Sequence, residues 1–192
     1  MLFKKLTKRD LVRKFIHAAG ILAIPYDIYV GHKFVVYSFF GLIFVYLFSE
    51  LLRKRKVKVP ITGDLIAYCA YPSEKKSFVY PPLLYLISLF FIYAFFSKTS
   101  AYIATIAMTI GDAAALIIGK EFGKRKLFYN KNKTFEGTFA FFFTTYLVIV
   151  FFIDPIRAFV IALVAALLES LTQHIDNLTV PLGAALLVEF LK

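Results

Sequence analysis

Residues 99–119 read TSAYIATIAMTIGDAAALIIG, 21 residues that carry one charge, Asp112. At about 1.5 Å of rise per residue, a helix over such a run is about 30 Å long, the thickness of a bilayer's hydrocarbon core. Outward from it, comparable apolar runs cover 15–30, 34–52, 79–97, 137–153, 156–172 and 178–191. The sequence therefore predicts an all-α fold, a polytopic membrane helix bundle of about seven transmembrane helices. A weaker stretch, Ile61 to Tyr71, is too short to span and is expected to be re-entrant or interfacial. No internal repeat or low-complexity tract divides the chain, so residues 1–192 form one domain.

Composition agrees. The chain is 60% hydrophobic and 18% charged with a mean hydropathy of +0.73, whereas a soluble domain is roughly 45–50% apolar and about 25% charged. The net charge of +11 would suggest nucleic acid in a soluble protein, but here the basic residues lie in blocks between apolar runs, and no nucleic-acid partner is expected. Nineteen of the 23 Lys and Arg fall in the N-terminal tail, the loop after the second run and the loop after the fourth; Lys33, Lys98, Arg157 and Lys192 lie opposite. That asymmetry predicts an integral, multi-pass membrane protein with a cytosolic N-terminus and its charged loops facing the cytosol. The basic, then apolar N-terminus lacks a clear cleavage site and reads as a retained helix. One cysteine, Cys69, excludes an internal disulfide.

Three constellations carry chemistry. In the first, Arg13, His17 and Gly20 share one helical face, with Lys14 beside them: a cationic, titratable patch where a membrane anchor and a packing glycine are the plain alternative. In the second, Asp112 lies about two turns inside the end of its helix with Gly119 and Gly123 on its face. Helix packing explains the glycines but not an intramembrane carboxylate. An aspartate with lysines nearby suits a divalent metal and cations that jointly neutralise a polyphosphate. Downstream, Lys131-Asn132-Lys133-Thr134-Phe135-Glu136-Gly137-Thr138 starts a helix that Thr134 caps, whose free N–H groups suit an anion. In the third, Glu169, Gln173 and Asp176 share a face ahead of Asn177 and Pro181. No P-loop, nucleophile elbow, GxGxxG or HExxH occurs.

These blocks, Arg13-Lys14-x-x-His17-x-x-Gly20, Gly111-Asp112 through Gly123-Lys124, Lys133-Thr134-x-Glu136-Gly137-Thr138, and Glu169 with Asp176-Asn177-x-x-x-Pro181, resemble the CTP-dependent lipid-alcohol kinases. That family includes dolichol kinase, phytol kinase and the CTP-using diacylglycerol kinase, and the likeness spans nearly the whole chain. The resemblance implies that CTP, with Mg2+, donates its γ-phosphate to a membrane lipid alcohol, most simply an isoprenoid one. It implies that Asp112 holds the metal, helped by Glu136 or Asp176. Arg13, Lys14, Lys124 and Lys133 would neutralise the triphosphate, and Gly119, Gly123, Thr134, Glu136 and Gly137 would shape its seat. His17 and Glu169 are the candidates to accept the alcohol proton. Phosphatidate cytidylyltransferases share part of the pattern but carry a later Asp-rich segment, where this chain has only Ile175-Asp176-Asn177. A small transporter using Asp112 as a cation site is the alternative outside the enzymes.

Overall fold

The computed structural model describes residues 6–57, 59–60, 62–70, 77–172 and 175–192; Lys4, Lys5, Lys58, Lys75, Lys76 and Gln173 lie outside them. Ten α-helical segments follow one another: α1 (Lys8–Ala18), α2 (Ala23–Tyr29), α3 (His32–Lys54), α4 (Thr62–Cys69), α5 (Tyr80–Phe95), α6 (Lys98–Ile106), α7 (Asp112–Glu121), α8 (Phe135–Ile149), α9 (Pro155–Leu171) and α10 (Asp176–Phe190). A 3-10 stretch, Ala19–Leu22, joins α1 to α2, and a π-helical stretch, Ala107–Gly111, joins α6 to α7. Joined segments counted as one, the described residues hold eight rods and no β-strand.

Every predicted apolar run is a helix, and local chemistry starts most of them. Ser97 caps α6, Thr134 caps α8 and Asp154 caps α9, each side-chain oxygen accepting the N–H three residues on. Prolines sit in the first turns of α5 and α9, where no helical donor is lost. Gly31, at φ +120°, turns α2 back into α3. By length and apolarity two rods reach membrane-spanning size, His32–Lys54 and Lys98–Glu121, while Tyr80–Phe95 and Phe135–Ile149 are shorter. Within the weak stretch at 61–71, of which 62–70 are described, Thr62–Cys69 forms α4, a helix of 8 residues.

The Lys98–Glu121 rod is the axis. Ala101, Ile103, Ala104, Ile106, Ala107 and Met108 are all buried in it, with α5, α8 and α10 packed around them. α9 closes against α8 and α10, and α3 lies outside α5. The outward faces are apolar instead of polar: Phe34, Tyr37, Phe44 and Phe48 on α3, Phe139, Phe143 and Leu147 on α8, and Leu163, Leu167 and Leu171 on α9 are exposed. An apolar collar of this extent suits a membrane environment.

A polar knot that the sequence reading did not flag ties one end of the bundle. Asp27, 1% exposed, accepts the Tyr102 hydroxyl at 2.6 Å and faces His32 Nδ1 at 3.0 Å, while His32 Nε2 donates to the Tyr93 carbonyl at 2.7 Å. It joins α2, α3, α5 and α6. The other end holds the charged cleft.

Candidate active site

Local packing explains the Arg-Lys-x-x-His-x-x-Gly spacing of α1. The helix begins with a capping box: Asp10 N–H donates to Thr7 Oγ1 at 3.2 Å, and the Thr7 N–H donates to Asp10 Oδ2 at 3.0 Å. Asp10 also meets Lys120 at 2.8 Å, which pins α1 to α7. Further along, the Tyr85 hydroxyl donates to the His17 carbonyl at 2.6 Å and its ring lies on the imidazole, centroids 4.1 Å apart. A Cβ at position 20 would fall 1.7 Å from that hydroxyl, so Gly20 is the residue that lets Tyr85 reach His17.

Asp112 is aimed by the π-helical stretch before it. Its N–H bonds to Thr109 O, so the Met108 carbonyl is left to another donor, and His17 Nε2 supplies it at 3.1 Å. The same nitrogen lies 3.3 Å from Asp112 Oδ2, and Lys14 forms an ion pair with that oxygen. Met108 O only accepts, so Nε2 carries the ring proton.

The third and fourth blocks meet the same space. Lys133 pairs with Glu169, and with Asp176 at 3.4 Å. Burial disfavours the Lys133 charge, but Glu169 and then Asp176 outweigh it and hold the ammonium pKa above its ordinary value. Burial likewise pushes the Asp176 carboxyl up, against the pull of Lys133. Glu169 is 3% exposed, and its Oε2 has no hydrogen-bond partner; buried Thr138 Oγ1, in the first turn of α8, has none either. Orphaned buried oxygens are uncommon and point toward a ligand.

Gly119 and Gly137 are where α7 and α8 touch backbone to backbone: a Cβ on Gly137 would sit 2.9 Å from Ala115 O and one on Gly119 would sit 3.5 Å from Gly137 Cα. Gly123, just beyond α7, makes room for the Thr134 side chain, since a Cβ there would sit 2.7 Å from Thr134 Oγ1. All three glycines line the cleft. Their closeness brings Thr134, whose Oγ1 accepts the Gly137 N–H at 3.2 Å, to the cleft wall.

The result is one cleft of about 890 Å³ that collects Arg13, Lys14, His17, Asp112, Gly119, Gly123, Lys133, Thr134, Gly137, Glu169 and Asp176. The sequence reading missed Asp10 and gave no individual role to Lys120, Lys126 or Thr138, which also line it; Thr7-x-x-Asp10 was a capping signal that would have found the first. Tyr85 gave no signal, since a tyrosine in an apolar run reads as packing.

Two predicted residues are not brought in. Lys124 and Glu136 line a separate shallow recess with Glu121, Phe122 and Gly123. Both Glu136 carboxylate oxygens accept the Arg125 N–H at 3.3 Å, and backbone N–H groups, its own first, hold its pKa below the ordinary value. Of the two carboxylates expected to help Asp112 hold a metal, Glu136 faces this recess, while Asp176 lines the cleft with Asp112. The buried face of α8 is set by Gly137, Phe141 and Thr145, and Glu136 lies one helical step, about 100°, away.

No family model matches the chain, and no solved structure matches it. Similarity to known proteins does emerge. An uncharacterized protein of Methanocaldococcus jannaschii is 29% identical over 94% of this chain and 93% of its own length. Phytol kinase 1, chloroplastic, of Arabidopsis thaliana is 28% identical over 96% of this chain and 69% of its own. CTP-dependent diacylglycerol kinase 1 of Saccharomyces cerevisiae is 27% identical over 71% of this chain and 48% of its own. Other relatives at 27–32% identity are named as kinases of phytol, farnesol, dolichol and diacylglycerol, so the chain is similar to several proteins whose names denote lipid-alcohol kinases. It spans under half the length of the farnesol, dolichol and diacylglycerol kinases.

Proposed function

We propose that this chain is a CTP-dependent kinase of the membrane that transfers the γ-phosphate of CTP to an isoprenoid alcohol. The observation that carries the proposal is the meeting, in one cleft, of Lys14, His17, Asp112, Lys133, Glu169 and Asp176 from four separated blocks of sequence. The names phytol, farnesol and dolichol, carried by relatives, support the isoprenoid class of acceptor. The basic-residue asymmetry supports seven crossings by all rods except α4, with the cleft on the cytosolic side.

Phosphoryl transfer asks for positioning and charge neutralisation more than for covalent chemistry. Arg13, Lys14, Lys120, Lys126 and Lys133 surround the cleft and would bind the triphosphate. Among the described residues no three of His, Cys, Asp and Glu gather closely enough to cage a metal. Mg2+ taken together with phosphates uses one or two carboxylates, and Asp112 and Asp176, both in the cleft wall, would be those two. A bound divalent cation supplies neutralisation of charge across the phosphates. His17, whose Nε2 carries its proton toward Met108 O and Asp112, orients the aspartate. Glu169 Oε2 is the free acceptor. In the reaction the alcohol oxygen bonds to the γ-phosphorus, the bond to the bridging oxygen breaks, CDP leaves, and the hydroxyl proton passes to Glu169.

The test is transfer of label from [γ-32P]CTP, [α-32P]CTP or [γ-32P]ATP to isoprenoid alcohols, diacylglycerol and phosphatidate, by wild-type and Asp112→Asn protein with magnesium. Label from the γ position of CTP appearing on an isoprenoid alcohol, and lost in the variant, is the expected result. Label from the α position on phosphatidate would make the protein a cytidylyltransferase. Absence of transfer to every acceptor would leave the transporter alternative.

A further inference from the structure

Between α7 and α8 the chain runs through a hairpin: Lys126 and Thr134 bridge antiparallel, the Leu127 N–H donates to Lys133 O at 3.2 Å, and the Phe135 N–H donates to Arg125 O at 2.9 Å. Its tip is fastened. Asn130, 2% exposed, donates from Nδ2 to Ser170 O at 2.8 Å and accepts the Asn132 N–H at 3.2 Å, while the Tyr129 and Ser170 hydroxyls share a hydrogen bond of 2.8 Å. So anchored, the hairpin holds Phe128 outward at 92% exposure, edge-on to Tyr129 with centroids 4.8 Å apart. A single exposed ring is ordinary, but one held outward by a built loop beside a larger apolar surface extends that surface as a contact region.

The place of fastening and the charge around it say which partner. Ser170 directly precedes Leu171, the last of the exposed α9 stripe Leu163, Leu167, Leu171, so the hairpin sits at the rim of the apolar collar. From Phe122 to Phe135 the sequence holds five basic residues and no acid. Lys133 is committed to the cleft, and Lys124, Arg125, Lys126 and Lys131 are exposed. Exposed aromatic rings flanked by Lys and Arg at the edge of an apolar surface match the interface of an anionic bilayer.

We propose that the 124–134 hairpin is a bilayer-interface anchor, with Phe128 at headgroup depth and Arg125 and Lys131 against anionic phospholipid headgroups. The arm of the hairpin that carries Lys133 and Thr134 is then held against the surface from which a lipid substrate enters. The proposal rests on the membrane reading above, but its readout does not involve phosphate transfer.

The chain contains no tryptophan, so a single introduced one reports its own site alone. Phe128→Trp protein is reconstituted into vesicles of phosphatidylcholine with or without phosphatidylglycerol, each including phospholipid brominated at a shallow or a deep acyl position. Phe143→Trp, in the middle of the α8 outer face, serves as reference. The expected result is blue-shifted emission from position 128 with shallow quenching that falls by roughly half when phosphatidylglycerol is left out or Arg125→Gln/Lys131→Gln is added. Deep quenching at 143 with water-like, unquenched emission at 128 would overturn the anchor and leave the membrane reading standing. Absence of quenching at both positions would overturn both, and equal shallow quenching in both lipid compositions would overturn the electrostatic half of the proposal.

Discussion

Substitution Gly20→Ala tests how the first block works. The added Cβ falls 1.7 Å from Tyr85 Oη and 2.9 Å from its Cζ. Tyr85 is 8% exposed, tilted against the His17 ring and bonded to the His17 carbonyl, so the ring has no free direction in which to yield. Overpacking of this kind costs about 1–3 kcal/mol, and the lost hydrogen bond adds about 1 kcal/mol. We expect a destabilisation of about 2–4 kcal/mol, with a fall in kcat of about 100-fold, because displacing His17 by about 1 Å misaims Asp112. Tyr85→Phe alone should cost only about 1 kcal/mol, and Gly20→Ala/Tyr85→Phe should be milder than the sum of the two singles, since the closest clash is with the hydroxyl. The assay is a double-mutant cycle of thermal stability in detergent micelles, run beside single-turnover transfer on each variant. Wild-type stability and rate in Gly20→Ala would refute the argument, and strict additivity would show that position 20 acts through something other than Tyr85.

Two further predictions address the cleft's ion pairs and its glycines. Lys133→Met strands the buried Glu169 carboxylate and should cost about 3–5 kcal/mol, while Lys133→Met/Glu169→Gln should regain much of the stability and none of the activity; chemical denaturation beside the transfer assay separates these, and recovered activity in the double variant would remove both residues from the reaction. Gly137→Ala pushes a methyl to 2.9 Å from Ala115 O and 3.1 Å from Gly119 Cα, both backbone, so a loss of about 1–3 kcal/mol in thermal stability is expected, and an unchanged melting temperature would mean that α7 and α8 are not in backbone contact.

The helices were legible because each is a long apolar run, and the four blocks were legible because charge inside such a run costs too much to be incidental. What escaped had a physical reason in each case. Glu136 is sequence-adjacent to a cleft residue, yet one helical step carried its side chain to the backbone of Arg125. Lys124 follows Gly123 beyond the last turn of α7, where helical phase no longer fixes direction. The π-helical stretch leaves no mark in composition, since Ala-Met-Thr-Ile-Gly is as apolar as its flanks. Asp27 fell near the end of the 15–30 run and His32 in the turn after it, where a polar pair reads as solvated, and only the fold turned them inward against Tyr93 and Tyr102.

That π-helical stretch also sets an angular register. A π-bulge corresponds to one residue more than an α-helix over the same rise would hold, so α6 and α7 lie on one axis but are out of phase by about 100°. A single helical wheel drawn from Lys98 to Glu121 therefore points Asp112 and Gly119 to the wrong side. Deleting one residue between Ala107 and Ile110 would leave an unbroken α-helix of nearly the same length that still turns Asp112 and Gly119 toward the cleft, whereas deleting one residue from a helix with no such stretch would rotate everything beyond it by about 100°. At this place in the chain one residue is spare: it shapes the local bulge and leaves the direction of the face beyond it unchanged.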